Sequence, residues 1–137
     1  MHEWALAEAV VETVLNYTRD HKGKVVEVKI KIGKLQSIDL DIFKYALNEL
    51  VKNTPLANTN FVFSEEDAIF KCNVCGYMWG LKDINLSNEI LENIHFVPEA
   101  VYAYVKCPKC GSIDFSLVKG RGVYIEEIKV EQVDDRS

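Results

Sequence analysis

The chain has 137 residues, 48% of them apolar and 27% charged, which is the composition of a soluble globular protein rather than a disordered or membrane-embedded one. Its 16 basic against 21 acidic side chains leave a formal charge of −5, which argues against nucleic-acid binding, where Lys and Arg must neutralise phosphates. The length allows one domain, or one domain with a small satellite that needs a staple.

Nothing at the start reads as a targeting segment, because Glu3, Glu8 and Glu12 stand where a secretory signal would be basic and then purely apolar. The first element is a helix over about Trp4–Tyr17, with Ala7, Val11, Val14 and Leu15 at helical spacing and Glu8, Glu12 and Asn16 on another face. Gly23 ends that region. Residues 24–33 then alternate, Val26, Val28, Ile30 and Ile32 on one side and Glu27, Lys29 and Lys31 on the other, which predicts a half-buried strand. Asp39 is a candidate N-cap for a second helix carrying Phe43, Ala46, Leu47, Leu50 and Val51 inward, with Asn53 and Pro55 as stop signals. Phe61–Phe63 begins another strand. The last strand runs Val123–Glu131, where Glu126-Glu127 breaks the alternation and suggests a bulge or edge.

Residues 69–118 differ in character: they hold every cysteine and short apolar runs such as Val101–Val105, and they read as an insert. The fold expected is α+β, two helices on a small mixed β-sheet built from residues 1–68 plus 119–137, with an inserted knuckle domain of rubredoxin-like or zinc-ribbon type. No apolar run reaches the roughly 20 residues a bilayer span needs.

The cysteines form two pairs, Cys72/Cys75 and Cys107/Cys110, each followed at once by a glycine, Gly76 or Gly111. Two sulfurs from each of two tight turns are what a tetrahedral ion with four thiolate ligands requires. A glycine after the second cysteine permits the positive φ that aims backbone N–H groups at the sulfurs. Zinc is the natural occupant, expected to brace rather than to act, since four thiolates leave no open position. The plain alternatives are two disulfides or four buried thiols packed as small hydrophobes; neither needs this spacing in a reducing compartment, and a cytoplasmic location is expected. A rival of another class is an iron-holding, rubredoxin-like electron carrier. The insert shows little core of its own, so the metal is expected to supply most of its folding free energy, on the order of 10 kcal/mol.

His2 adjoins the α-amine of Met1, so amine, intervening amide nitrogen and imidazole can chelate one ion, with Glu3 as a further donor. Such nitrogen sets suit Ni(II) or Cu(II). The alternative is a solvated terminal residue. His95, in Ile94-His95-Phe96, is either another ligand or a histidine satisfied by backbone groups. His21, near a helix end, is assigned no role.

Met1-His2-Glu3 opening a helix, Lys34-Leu35, two Cys-x-x-Cys knuckles and a terminal Gly120-Arg121-Gly122 together resemble the HypA/HybF family of hydrogenase nickel-incorporation proteins, over essentially the whole chain. The resemblance implies a nickel metallochaperone, not an enzyme, that passes Ni2+ with a nucleotide-hydrolysing HypB-type partner toward the large subunit of [NiFe]-hydrogenase. Carried onto this sequence, the nickel ligands are Met1, His2 and Glu3, and the zinc ligands Cys72, Cys75, Cys107 and Cys110. The long link between the knuckles is similar to that of archaeal members, whose link carries a histidine available to nickel, here His95. A zinc-ribbon adaptor without nickel is a third reading. There is no Walker-type glycine loop, so nucleotide hydrolysis is left to a partner.

Overall fold

The computed structural model describes residues 2–132. The chain divides into two compact units, one taking residues up to Lys31, Ile38–Ser64 and the stretch from Tyr124, the other Ile32–Ser37 and Glu65–Val123. The element order is α1 (Glu3–Asp20), β1 (Lys24–Gly33), α2 (Leu40–Val51), β2 (Asn60–Glu66), β3 (Ile69–Cys72), β4 (Met78–Gly80), α3 (Asn88–Phe96), α4 (Val101–Tyr104), β5 (Phe115–Lys119) and β6 (Val123–Glu131). The α+β class expected from periodicity is the one found.

In the first unit α1 and α2 pack together, α1 burying Ala7, Val10, Val11 and Val14 and α2 burying Phe43, Ala46, Leu47 and Val51. The α1 stripe follows the i, i+3, i+4, i+7 spacing of a helix face, which selects Val10 and leaves Leu15 half-buried. Asp39 caps α2, its Oδ1 accepting N–H groups of Asp41 and Ile42 at 3.0 and 3.2 Å. The chain leaves α2 through Asn53, whose φ of 62° is left-handed. Phe43 meets Phe63 of β2 edge to face at 6.0 Å.

The strand order of the first sheet is β2-β1-β6. Thr59 Oγ1 donates to Val25 O at one end of β1, and Lys34 N–H donates to Glu66 O at the other, so β2 runs parallel to β1. Ion pairs Glu27–Lys129 and Lys29–Glu127 run in the opposite sense, so β6 is antiparallel and the sheet is mixed. Within β1 the buried set is Val25, Val28, Ile30 and Ile32; Val26, placed inward by simple alternation, is half-buried, and Val25 takes its place. β6 lies at the edge with its acidic pair over the lysines of β1.

The second unit has more core than its composition promises. Phe70, Trp79, Ile94, Val101, Val105 and Phe115 form a buried cluster joined by Cys72, Cys107 and Leu35. This corrects the expectation that the segment has little core of its own: the apolar residues are dispersed in sequence, and they meet because β3 pairs antiparallel with both β4 and β5. Its helix α3 is capped by Ser87 Oγ, which accepts Ile90 N–H at 3.2 Å.

A backbone interlock explains two of the short motifs. Leu35 N–H donates to Gly120 O at 2.8 Å, Gly33 N–H to Gly122 O at 2.9 Å, and Gln36 Oε1 accepts Gly122 N–H at 2.9 Å. A Cβ on Gly33 would sit 2.2 Å from Gly120 C and 2.5 Å from Arg121 N. Because the obstacle is backbone, Gly33→Ala is expected to cost about 3 kcal/mol. Thermal unfolding should show a drop in Tm of roughly 10 °C.

Candidate metal centre

Each cysteine pair sits in a tight turn at the end of a strand or loop, and the two turns repeat one hydrogen-bond pattern. Cys72 N–H donates to Tyr77 O and Gly76 N–H to Cys72 O; in the second turn Cys107 N–H donates to Ser112 O and Gly111 N–H to Cys107 O. Gly76 and Gly111 have φ of 79° and 77°, the left-handed value their position after the second cysteine foretold. That twist aims N–H groups at sulfur: Val74 and Cys75 N–H lie 3.4 Å from Cys72 Sγ, and Cys110 N–H lies 3.4 Å from Cys107 Sγ.

The four sulfurs converge within 4.8 Å of one another, with Cys72–Cys110 at 3.5 Å and Cys75–Cys107 at 3.6 Å. Four sulfurs each about 2.3 Å from a common tetrahedral centre lie about 3.8 Å apart, so the spacing fits a metal tetrathiolate. It does not fit disulfides, and all four thiols are free. Among the described residues this is the one group of three or more His, Cys, Asp or Glu that converges on a point.

The charge distribution favours a cation. Cys72 is brought down to about 6, first by the Cys75 N–H and then, against burial, by the Val74 N–H and neighbouring sulfur. Cys110 is pushed up to about 12: the Ser112 N–H alone would lower it, but the Cys72 sulfur and burial outweigh that donor. Thiols this close cannot all ionise on their own, and a dication between them removes the conflict.

The amino terminus is built differently. His2 is exposed and occupies the N-cap position of α1, with no side-chain capping bond, while its carbonyl accepts Leu6 N–H at 2.9 Å. Met1 lies outside the described residues. Glu3 is only 5% exposed, and its Oε1 accepts Asp39 N–H at 2.9 Å. Chiefly the Asp39 N–H, with Glu3's own N–H among the lesser causes, lowers that carboxyl to about 2. Sequence reasoning read Glu3 only as a donor to metal. The structure shows it also ties the start of α1 to the start of α2, a role with no signal in local spacing because Asp39 is 36 residues away.

His95 is exposed near the end of α3, its ring 5.5 Å from that of Phe96. His2 belongs to the first unit and His95 to the second. His21 stacks on Tyr17 at 3.9 Å with Nδ1 2.9 Å from Tyr17 O, a local helix-end arrangement consistent with no role.

Comparisons with known proteins agree with this layout. Residues 1–130 match the family described as hydrogenase/urease nickel incorporation, metallochaperone, hypA. The hydrogenase maturation factor HypA of Pyrococcus horikoshii is 49% identical over 135 residues, covering 96% of this chain and 97% of its own. That of Methanopyrus kandleri is 32% identical over 133 residues, covering 96% and 94%. In fold, the solution structure of the Ni metallochaperone HypA from Helicobacter pylori matches with a TM-score of 0.67 at 14% identity, covering 97% of this chain and 100% of that one.

The Glu3 anchor makes a pH prediction. A carboxyl held near 2 in the folded chain against 4.5 without the fold contributes stability that is present above pH 4.5 and lost as pH falls toward 2. Glu3→Gln should be less stable than wild type at neutral pH, and the difference should shrink across that window when urea unfolding is followed by circular dichroism.

Proposed function

The chain belongs to the HypA family of hydrogenase/urease nickel-incorporation metallochaperones, and from that premise we propose that it captures Ni2+ at its amino terminus and surrenders it to a nickel enzyme under assembly. The observation that carries this reading is His2: an exposed imidazole on the first turn of a helix whose start is pinned through Glu3. First-turn N–H groups have no intrahelical acceptor, so main-chain nitrogen is available there beside the ring. The Met1 amine, the intervening amide nitrogen and the His2 imidazole make the planar nitrogen set that Ni(II) favours. Glu3 is a further donor through its backbone nitrogen or its carboxylate; an ion drawing on either would compete with the bonds that Asp39 N–H and Glu3's own N–H make to that carboxylate.

His95 is proposed as a fourth donor, its ring exposed at the end of α3. Cys72, Cys75, Cys107 and Cys110 would hold Zn2+ as a structural ion: a closed tetrathiolate shell fixes two turns and leaves no place for cargo. The recipient is proposed to be the large subunit of a [NiFe]-hydrogenase, with a HypB-type nucleotide-hydrolysing chaperone as the partner that supplies or spends energy. The cytoplasm is the proposed site of action, where thiolates stay reduced; no helix among the described residues is long and apolar enough to cross a membrane. The ion is moved unchanged, so no catalytic residue is assigned. The residues 1–68 plus 119–137 then act as the nickel-binding part and 69–118 as the zinc-binding part.

Isothermal titration with Ni2+ tests the reading. Wild type is expected to bind one ion, and His2→Ala or acetylation of the terminal amine should weaken binding by at least about a hundredfold, the loss of one chelate arm or more. His95→Ala should weaken it by roughly tenfold; an unchanged affinity removes His95 from the set. Affinity for nickel should fall on acidification, because protons compete with the ion for nitrogen donors, while cysteine-bound metal is retained. A red, iron-containing protein would favour the electron-carrier reading, and titration without defined stoichiometry the adaptor.

A further inference from the structure

Among the described residues β5 is the outermost strand of its sheet, paired with β3 on one side and with no strand on the other. Register shows which backbone groups face the open side. Asn73 N–H donates to Asp114 O at 3.0 Å across the ladder, and hydrogen-bonded pairs alternate along antiparallel strands. With Cys72 opposite Phe115, Lys71 opposite Ser116 and Phe70 opposite Leu117, Ser116 turns its N–H and C=O toward β3. Phe115 and Leu117 turn theirs outward. Cys72 obeys the same alternation, its N–H pointing away from β5 to Tyr77 O.

A cavity of about 300 Å³ opens along this strand. Its apolar wall is Tyr102 of α4, 52% exposed and stacked on Phe115 with centroids 5.2 Å apart, together with Leu117 and Val118. Its other end is cationic, lined by Lys119 and Arg121. Lys119 has no ion-pair partner among the described residues, and Arg121 holds only the exposed Glu99, at 2.7 Å. Edge strands are often blunted by a bulge; β5 carries one at Val118, the extra residue facing the Ile69/Phe70 step, and it lies beyond the regular Phe115–Leu117 stretch whose outward groups remain open.

We propose that the outer edge of β5 is a docking site for an extended, acidic segment of a partner protein, which adds there as a fourth strand. Main-chain bonds to Phe115 and Leu117 would supply affinity, alternate apolar side chains would rest on Tyr102 and Leu117, and carboxylates would meet Lys119 and Arg121. Charge selects this occupant: Lys119 and Arg121 line one end of the cavity, and a second copy of the chain has no acidic residue within its own β5, Phe115–Lys119, to meet them. The inference is independent of how nickel is bound.

The test uses the metal-loaded full chain and synthetic peptides of about ten residues that alternate valine or threonine with glutamate. Binding should slow amide exchange at Phe115 and Leu117 and leave Ser116 unchanged, as read by NMR. Replacing the glutamates by lysine, or using the Lys119→Glu protein, should weaken binding by roughly tenfold or more; a proline at a ladder-donating position of the peptide should abolish it. Lys119 is exposed, so that variant is expected to keep its fold, checked by its retained metal content. Absence of binding at millimolar peptide overturns the proposal. So does binding without protection of those two amides, equal binding of the lysine peptide, or protection that arises in the peptide-free protein through self-association.

Discussion

Four sulfur atoms within 4.8 Å of one another set the strongest constraint in this molecule: their negative charge is tolerable only if a cation is shared among them. The backbone does what it can beforehand, directing three N–H groups at Cys72 and Cys107 sulfur through two glycine-closed turns. That suffices to bring Cys72 down, and it leaves Cys110 pushed up. The convergence of four sulfurs on one point is what fits the site to a dication. Because Cys72 and Cys107 also belong to the apolar cluster around Phe70, whatever fixes the sulfurs fixes the second unit's core with them.

The second unit is therefore held by two cooperating devices rather than one. Phe70, Trp79 and Phe115 pack ring against ring at 5.3 to 5.6 Å, and the thiolate turns close the far ends of the strands that carry them. A cluster of ten buried residues is small by the standard of an independent domain, so the metal and the core each reduce what the other must supply. The interlock of Gly33 and Leu35 with Gly120 and Gly122 completes this unit from a segment distant in sequence.

How much of this was legible in the sequence depended on the range of the interaction that decides each element. The extent of β1 and its inward Val28, Ile30 and Ile32 were readable because alternation is a local signal, and so were the Asp39 cap and the two knuckles, whose geometry is set within five residues. Val25 displaced Val26 because the pairing of β1 with two neighbours, not its own pattern, decides which valine faces the core. Helices α3 and α4 and strands β3 to β5 escaped notice since each is short and their apolar residues alternate weakly; only their assembly makes a core. Ser87 three residues before Ile90, with Ile90, Leu91 and Ile94 at helical spacing, was the local clue to α3. Glu3 was read for its chemistry and not for its burial, because its partner, Asp39, lies across the fold.

In the proposed function, two metal environments would divide the work by ligand and by backbone. Thiolates on closed turns hold an ion in a shell with no vacancy, which suits permanence. The nitrogen set proposed at the first turn of α1 would be one that a recipient could displace one donor at a time, which suits delivery. Delivery also requires that the set be presented the same way each time, and here the buried Glu3 matters. Asp39 uses its N–H to hold the Glu3 carboxylate and its own carboxylate to cap α2. The residue next to His2 is thus locked to the start of a second helix, while His2 itself stays exposed. A ligand set beside a fixed anchor can be opened without unravelling the helix that carries it.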